Sequence, residues 1–294
     1  MDKALLQKLK FWERSGPTQQ AGLFLSDDHL TGYLAPTTDA PQIVEQVQVV
    51  DQDFQPAFAA LRERMGKVEA ALVLAPPHYE VVTVERPNVP NDELHQSLLW
   101  LIKDLVQLDV SDIHYDYFIP PETVSNKINV VVVSRSWLQR LLLDAKAQSI
   151  TISHILVEEI ALSNLFSGDE TAKLLLSQHT GHELLLTVIK QGELYMQRRL
   201  RGFEQQLQIS GETVAAETAQ RLTLEIQRSM DFFEAQSRLS AVSSIELLLD
   251  DNGDVLQPLL SQNFSQPVKQ VANDNVSQAM AKMALMELQR EGLS

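Results

Sequence analysis

The sequence predicts an α/β protein built from two duplicated lobes, and three observations carry that reading. The chain has 294 residues, a length for about two domains. Three strands followed by a helix and another strand occur after Pro17 and again after Gly168. Hydrophobic residues make up 44% and charged residues 21%, which favours packed cores over disorder or a coiled coil.

In the first half, Ala21–Ser26 and Leu30–Ala35 read as strands joined at Asp27-Asp28-His29, a hairpin signal. Ile43–Asp51 sets Ile43, Val47 and Val49 against Glu45, Gln46 and Gln48, a half-buried strand. Phe54, Phe58, Leu61 and Met65 have helical spacing, and Gly66 ends that helix. Ala70–Ala75 is apolar throughout and stops at Pro76-Pro77, and Glu80–Glu85 is a further strand. After the break Pro87–Pro90, Asn91 or Asp92 is placed to cap a helix Glu93–Leu108, with Leu94, Leu98, Leu101, Leu105 and Leu108 on one face. Strands Ile113–Ile119 and Lys127–Val133 and a leucine-rich helix Ser136–Ala147 complete a small α+β lobe at about 88–150. Trp100, Tyr117 and Trp137 in it read as core. Strand Ile152–Leu156 and the apolar segment Ile160–Phe166 lead to a hinge-like turn at Ser167-Gly168-Asp169.

The second half repeats the opening. Ala172–Ser177, Glu183–Lys190 and Glu193–Leu200 are strands, the last two joined at Gln191-Gly192. A long helix Glu212–Ala235 places Leu222, Ile226, Met230 and Phe233 on one face. Strand Ile245–Leu249, helix Val255–Leu260, strand Pro267–Val271 and helix Ser277–Glu291 follow. Arg198, Arg199 and Arg201 read as a solvated strand end.

Charge and composition exclude several functions. With Lys+Arg 24 against Asp+Glu 39 the formal charge is -15, which repels phosphates and disfavours nucleic acid. Absence of cysteine removes disulfides, thiolate zinc sites and cysteine nucleophiles. No apolar run approaches the roughly 20 residues needed to span a bilayer, so a soluble intracellular protein is expected. Residues 1–14 run against the overall sign, with four bases (Lys3, Lys8, Lys10, Arg14) against Asp2 and Glu13, a net of +2. Leu5, Leu6, Leu9 and Trp12 form one stripe there before Ser15-Gly16-Pro17 stops the segment. Bases interrupt the stripe, so it is not a signal peptide. It reads either as a tail or helix of its own domain, or as a foot that docks on a membrane surface or partner helix through Leu5, Leu9 and Trp12. His179 and His182 sit three apart without a third ligand and read as a polar loop. No Gly-x-Ser-x-Gly elbow or P-loop occurs.

Two segments carry a family resemblance. Pro87–Phe118, PNVPNDELHQSLLWLIKDLVQLDVSDIHYDYF, resembles the inserted lobe of the PilM family and of the cytoplasmic part of type II secretion protein L. Leu222–Gln236, LTLEIQRSMDFFEAQ, resembles the long helix before the last lobe of PilM proteins. Within that group the sequence is most similar to the MshI branch, which serves mannose-sensitive haemagglutinin (MSHA) pili. The resemblance implies an actin-like (FtsA/PilM-like) fold: tail 1–17, first lobe 18–168 with the insert at about 88–150, second lobe 169–294. It further implies a scaffold at the cytoplasmic face of the inner membrane that binds the N-terminal segment of a bitopic PilN-like protein, in a groove along residues 70–135. Other platform components, including the assembly ATPase, and a second copy of the chain are further expected partners.

Actin-like proteins hold ATP between the lobes, where backbone N–H groups converge on phosphates and small residues let the chain approach. The resemblance puts the first phosphate hairpin, D-I-G-S in relatives, on Phe24-Leu25-Ser26-Asp27. It puts the second on Gln178-His179-Thr180, and the Gly-rich adenosine turn on Asp250-Asp251-Asn252-Gly253-Asp254. Phe24 stands at the aspartate position, Ser26 at a glycine position, and the turn's carboxylates oppose an anionic nucleotide. The stretch between Gly202 and Leu222 is also shorter than in nucleotide-binding relatives. The expectation is a degenerate cleft at Phe24, Ser26, Asp27, Gln178, Thr180, Asp250 and Gly253, with no cofactor, no metal and no catalytic residue. The competing readings are an actin-like ATPase that uses nucleotide as a switch, and a scaffold of the secretion-protein-L type.

Overall fold

The computed structural model describes residues 19–121, 126–205, 207–208, 212–237, 241–272 and 275–291. The tail 1–17, with Leu5, Leu9 and Trp12, lies outside them. The first sheet contains β1 (Gln19–Leu25), β2 (His29–Leu34), β3 (Ile43–Gln48), β4 (Val68–Leu74) and β8 (Ile150–Val157), in the order β3-β2-β1-β4-β8. The second contains β9 (Lys173–Gln178), β10 (Leu184–Lys190), β11 (Glu193–Leu200), β12 (Ser244–Leu249) and β13 (Val268–Gln270), in the order β11-β10-β9-β12-β13. In each, the first three strands pair antiparallel and the last two join in parallel. The expected duplication is therefore present strand for strand.

Both faces of each sheet are covered, so the central strands β1, β4, β9, β10 and β12 carry apolar side chains on both of their faces. On one face of the first sheet Ala21, Leu23, Leu25, Ala70, Leu72 and Leu74 pack with α1 (Gln55–Met65) and α3 (Arg135–Ala147). The second sheet packs Leu174, Leu176, Leu186 and Leu247 against α5 (Glu212–Ser237) and α6 (Gly253–Ser261). The other faces meet around α7 (Val276–Glu291), where Phe24, Ala71 and Val73 from one lobe join Leu175, Leu185 and Leu248 from the other.

The helix α7 is thus a wedge between the sheets rather than a peripheral part of the second lobe. The reason is legible in its composition: Val276, Ala279, Met280, Ala281, Met283, Ala284, Leu285 and Leu288 surround it with buried apolar side chains. Close approach requires small residues opposite. A Cβ on Gly22 of β1 would lie 1.7 Å from the Ala281 carbonyl oxygen.

The insert differs from its expected bounds. Its sheet has the order β5-β7-β6, with β5 (Glu80–Glu85), β6 (Ile113–Phe118) and β7 (Lys127–Ser134), backed by α2 (Asn91–Ile102). The compact unit therefore runs from Glu80 to Ser134, not 88–150, because Leu138, Leu141 and Ala145 of α3 belong to the first-lobe core. Helix α2 ends at Ile102 rather than Leu108, and its N-cap is Pro90, with no capping side chain. Leu94, Leu98 and Ile102 form its buried stripe, which leaves Trp100 71% exposed and Leu101 and Leu105 exposed beside it. Trp137 lies on α3 instead, stacked on His78 at 4.9 Å and edge-on to Phe54.

A second link joins the lobes beside the wedge. After β8 comes a single turn of helix, α4 (Glu158–Ala161), whose two carboxylates are buried. Strand alternation sends Arg199 of β11 to the first-lobe side, opposite to Arg198. Its Nη2 donates to Glu159 Oε1 at 2.6 Å, the Tyr79 hydroxyl at 2.9 Å and Glu158 Oε2 at 3.2 Å, while Tyr79 donates to Glu159 Oε2 at 2.6 Å. Arg199 is thus a half-buried bridge to two buried glutamates, not part of a solvated strand end. Two acids face one guanidinium, and burial, opposed by Arg199 and reinforced by Glu159, pushes the Glu158 carboxyl up to about 7.

Two outcomes follow for stability. Gly22→Ala should cost about 3 kcal/mol in urea unfolding through overpacking against α7. Gly168→Ala, whose added methyl meets nothing within 4 Å, should stay within about 0.5 kcal/mol of wild type. The raised Glu158 pKa means that the folded state holds a proton the unfolded chain releases above its ordinary value of 4.5, so the Glu158 contribution falls as pH rises to about 7. Glu158→Gln, shaped like the protonated acid, should therefore gain about 2–3 kcal/mol relative to wild type between pH 5 and 8, read from parallel denaturation curves.

Candidate functional site

The three segments that the resemblance assigned to a nucleotide cleft come together where the lobes meet. The β1–β2 turn is closed by Ser26, whose N–H and hydroxyl both donate to the His29 carbonyl, at 2.9 and 3.2 Å. The β9–β10 turn is Thr180-Gly181, with Gly181 at φ 83°, a conformation that suits glycine. It projects His179 across the cleft onto Phe24, ring centroids 5.5 Å apart. His182 faces Asp27 at 3.5 Å, a second contact between the hairpins. Gln178 is buried and donates to the His182 carbonyl at 2.6 Å, which holds the turn shut.

Asp250 organises the floor. Its Oδ1 accepts the Val276 N–H at the start of α7 at 2.7 Å. Its Oδ2 accepts the Thr180 N–H at 3.2 Å and lies 3.3 Å from His179 Nδ1. Asp251 takes the Thr180 hydroxyl at 2.7 Å. With Nδ1 turned to a carboxylate, the His179 proton sits there and Nε2 accepts from the Ser277 hydroxyl at 2.6 Å. Burial lowers the His179 pKa, with Asp250 pulling the other way, so the ring is held neutral near pH 7. Asn252, in the left-handed region, donates to the Leu207 carbonyl, and Gly253 begins α6.

Phosphate sites of this kind need convergent, unclaimed N–H groups. Here the Thr180 and Val276 N–H groups are claimed by the Asp250 carboxylate, and Phe24 and His179 fill the space between the hairpins. Ser277, His179 and Asp250 stand in the order of a hydrolase triad, but Ser277 is 3% exposed and Phe24 covers the imidazole, so no substrate carbonyl reaches the hydroxyl. Among the described residues no group of three or more His, Asp or Glu side chains is arranged to hold a metal ion. No described helix is long and apolar enough to cross a membrane.

A different concavity lies on the first lobe. Between β6, the outer strand of the insert, and β8, the outer strand of the first sheet, a groove of about 370 Å³ opens. Leu74, Val131, Val133, Leu138, Val157 and Ile160 make it apolar, and Tyr117, Asp116 and His154 add polar groups. Glu287 of α7 also lines it, held by Asn164 at 2.8 Å and Arg290 at 2.6 Å. Two sheet edges facing one apolar trough suit an extended peptide, whose backbone pairs with an edge while alternate side chains enter the floor. The resemblance placed a groove along 70–135; the β8 wall and Glu287 lie outside that span. The available signal was β8 itself, where Ile152, His154 and Leu156 are half-buried and Ile155, between the last two, is an exposed apolar residue.

No protein-family model and no curated protein matches the sequence. Solved structures do match the fold. One described as the PilM-PilN type IV pilus biogenesis complex superposes with a TM-score of 0.62 at 14% identity, over 95% of this chain and 100% of that one. The cytoplasmic domain of EpsL, an inner membrane component of the type II secretion system of Vibrio cholerae, gives 0.55 at 19% identity over 91% and 95%. A Bacteroides thetaiotaomicron protein of unknown function with an actin-like ATPase fold gives 0.53 at 11% identity over 90% and 95%. The chain has the actin-like ATPase fold.

Proposed function

We propose that this protein is a non-enzymatic scaffold of a type IV pilus assembly platform of the MSHA type, seated at the cytoplasmic face of the inner membrane. It docks the N-terminal segment of a bitopic PilN-like protein in the groove between β6 and β8. The observation that carries this reading is the pairing of two open strand edges with an apolar trough. The likeness to a PilM-PilN complex supports the class of occupant. The likeness to the EpsL domain supports a second reading, in which the same groove serves a type II secretion platform and differs in partner alone. Internal use of the cleft's N–H donors by Asp250 supports the non-enzymatic part, against the reading of a nucleotide-driven switch.

Fluorescence anisotropy with a synthetic N-terminal cytoplasmic segment of a PilN-like bitopic protein should show saturable binding. Ile155→Glu, at an exposed groove position, should weaken it about ten- to hundredfold without unfolding the chain. A peptide that fails to bind rules out the pilus reading, and binding of the corresponding secretion-system segment instead selects the second. Titration calorimetry with Mg-ATP should give no saturable heat; micromolar binding would overturn the non-enzymatic assignment.

A further inference from the structure

A second groove, of about 410 Å³, lies on the second lobe between the end of β11 and α5. Its lining holds Arg198, Arg199, Arg201, Arg221 and Arg228, five of the chain's 24 basic residues, in a protein of formal charge -15. Arg199 is committed to the buried glutamates of α4. The other four face one lining carboxylate among the described residues, Glu225, which Arg198 reaches at 3.2 Å and Arg228 at 3.0 Å. Arg201 pairs with Glu183 outside the lining at 2.9 Å, and Arg221 donates to the Gly202 carbonyl at 3.3 Å and lies over the Phe203 ring.

The side chains of Arg201 and Arg228 are 87% and 69% exposed. Exposed pairs of this kind contribute little, so an incoming carboxylate can exchange for Glu225 or Glu183 at small cost. Each guanidinium offers a planar fork that takes a carboxylate through two parallel bonds. Leu224 sits in the same lining and is 54% exposed, an apolar contact that a free phosphate would not use. Strand β11 is the outermost strand of its sheet, so its outer edge has no neighbouring strand among the described residues.

We propose that this groove is a docking site for an acidic, extended segment of a protein partner. Its carboxylates engage the arginines from β11 and α5, its backbone runs along the β11 edge, and an apolar side chain covers Leu224. Charge complementarity selects the occupant. Over distances beyond about 8 Å the negative surface is screened, and a short acidic segment then meets the local arginine excess. A long polyanion such as nucleic acid or a lipid surface would extend past the groove onto the acidic remainder. The inference is independent of the groove between β6 and β8 and holds whichever partner occupies that site.

The test uses the full chain and a fluorescein-labelled peptide of alternating glutamate and valine, followed by anisotropy at physiological salt. Saturable binding is expected. It should fall about tenfold or more in Arg201→Glu/Arg228→Glu and remain in Arg140→Glu, a substitution outside the groove. Circular dichroism and unfolding curves check that each variant is folded. A lysine–valine peptide should not bind. Equal binding by wild type and the double variant, or no saturable binding at millimolar peptide, would overturn the proposal. So would arginine-dependent binding of phosphatidylglycerol vesicles or inorganic phosphate in place of the peptide.

Discussion

The structure depends on the burial of one helix. Without α7 the inner faces of both sheets, including Phe24, Val73, Leu185 and Leu248, would be open to water. Apolar burial of this kind is worth roughly 25 cal/mol per Å² and is non-directional, so it alone would permit several lobe arrangements. Shape removes that freedom. Gly22 admits the Ala281 backbone at a distance no side chain allows, and Ala71 and Ala279 keep the layers thin. The Arg199 cluster then fixes the rotation of one lobe against the other, because the buried Glu158 and Glu159 carboxylates would lose their cation if Arg199 were displaced.

The same wedge decides the state of the cleft. The N-terminus of α7 delivers the Val276 N–H to Asp250 and the Ser277 hydroxyl to His179. A helix start aimed between two hairpins is ordinarily an anion site. Here a carboxylate from the chain itself occupies that position, and the positive end of the helix is neutralised internally. Contacts between the hairpins, Phe24 on His179 and Asp27 near His182, then join the lobes through side chains. The grooves lie elsewhere, along the outer strands β6, β8 and β11, where the sheets end.

Much of the fold was legible because periodicity and breakers report local physics. Pro76-Pro77, Gly66 and Gln191-Gly192 end elements where expected, and the continuous apolar run Ala70–Ala75 marks a strand covered on both faces. The errors fall where the decision was not local. Leu101 and Leu105 have helical spacing with Leu94, but the core of the insert takes only the stripe through Ile102, and Trp100 is left outside. Arg199 reads like its neighbours Arg198 and Arg201, and only the approach of α4 to one face of β11 separates them. Helix α3 follows the insert in sequence but packs on the first lobe, which no pattern within it records.

The sequence by itself determined the duplicated α/β order, the apolar stripes and the acidic balance. These follow from side-chain chemistry and spacing within a few residues of each other. Tertiary structure alone decided which donors Asp250 would claim, which arginine would bridge the lobes, and which strand edges would face one another across a groove. Each of those outcomes joins residues far apart in the chain, and their contact exists once α7 has set the two lobes in place.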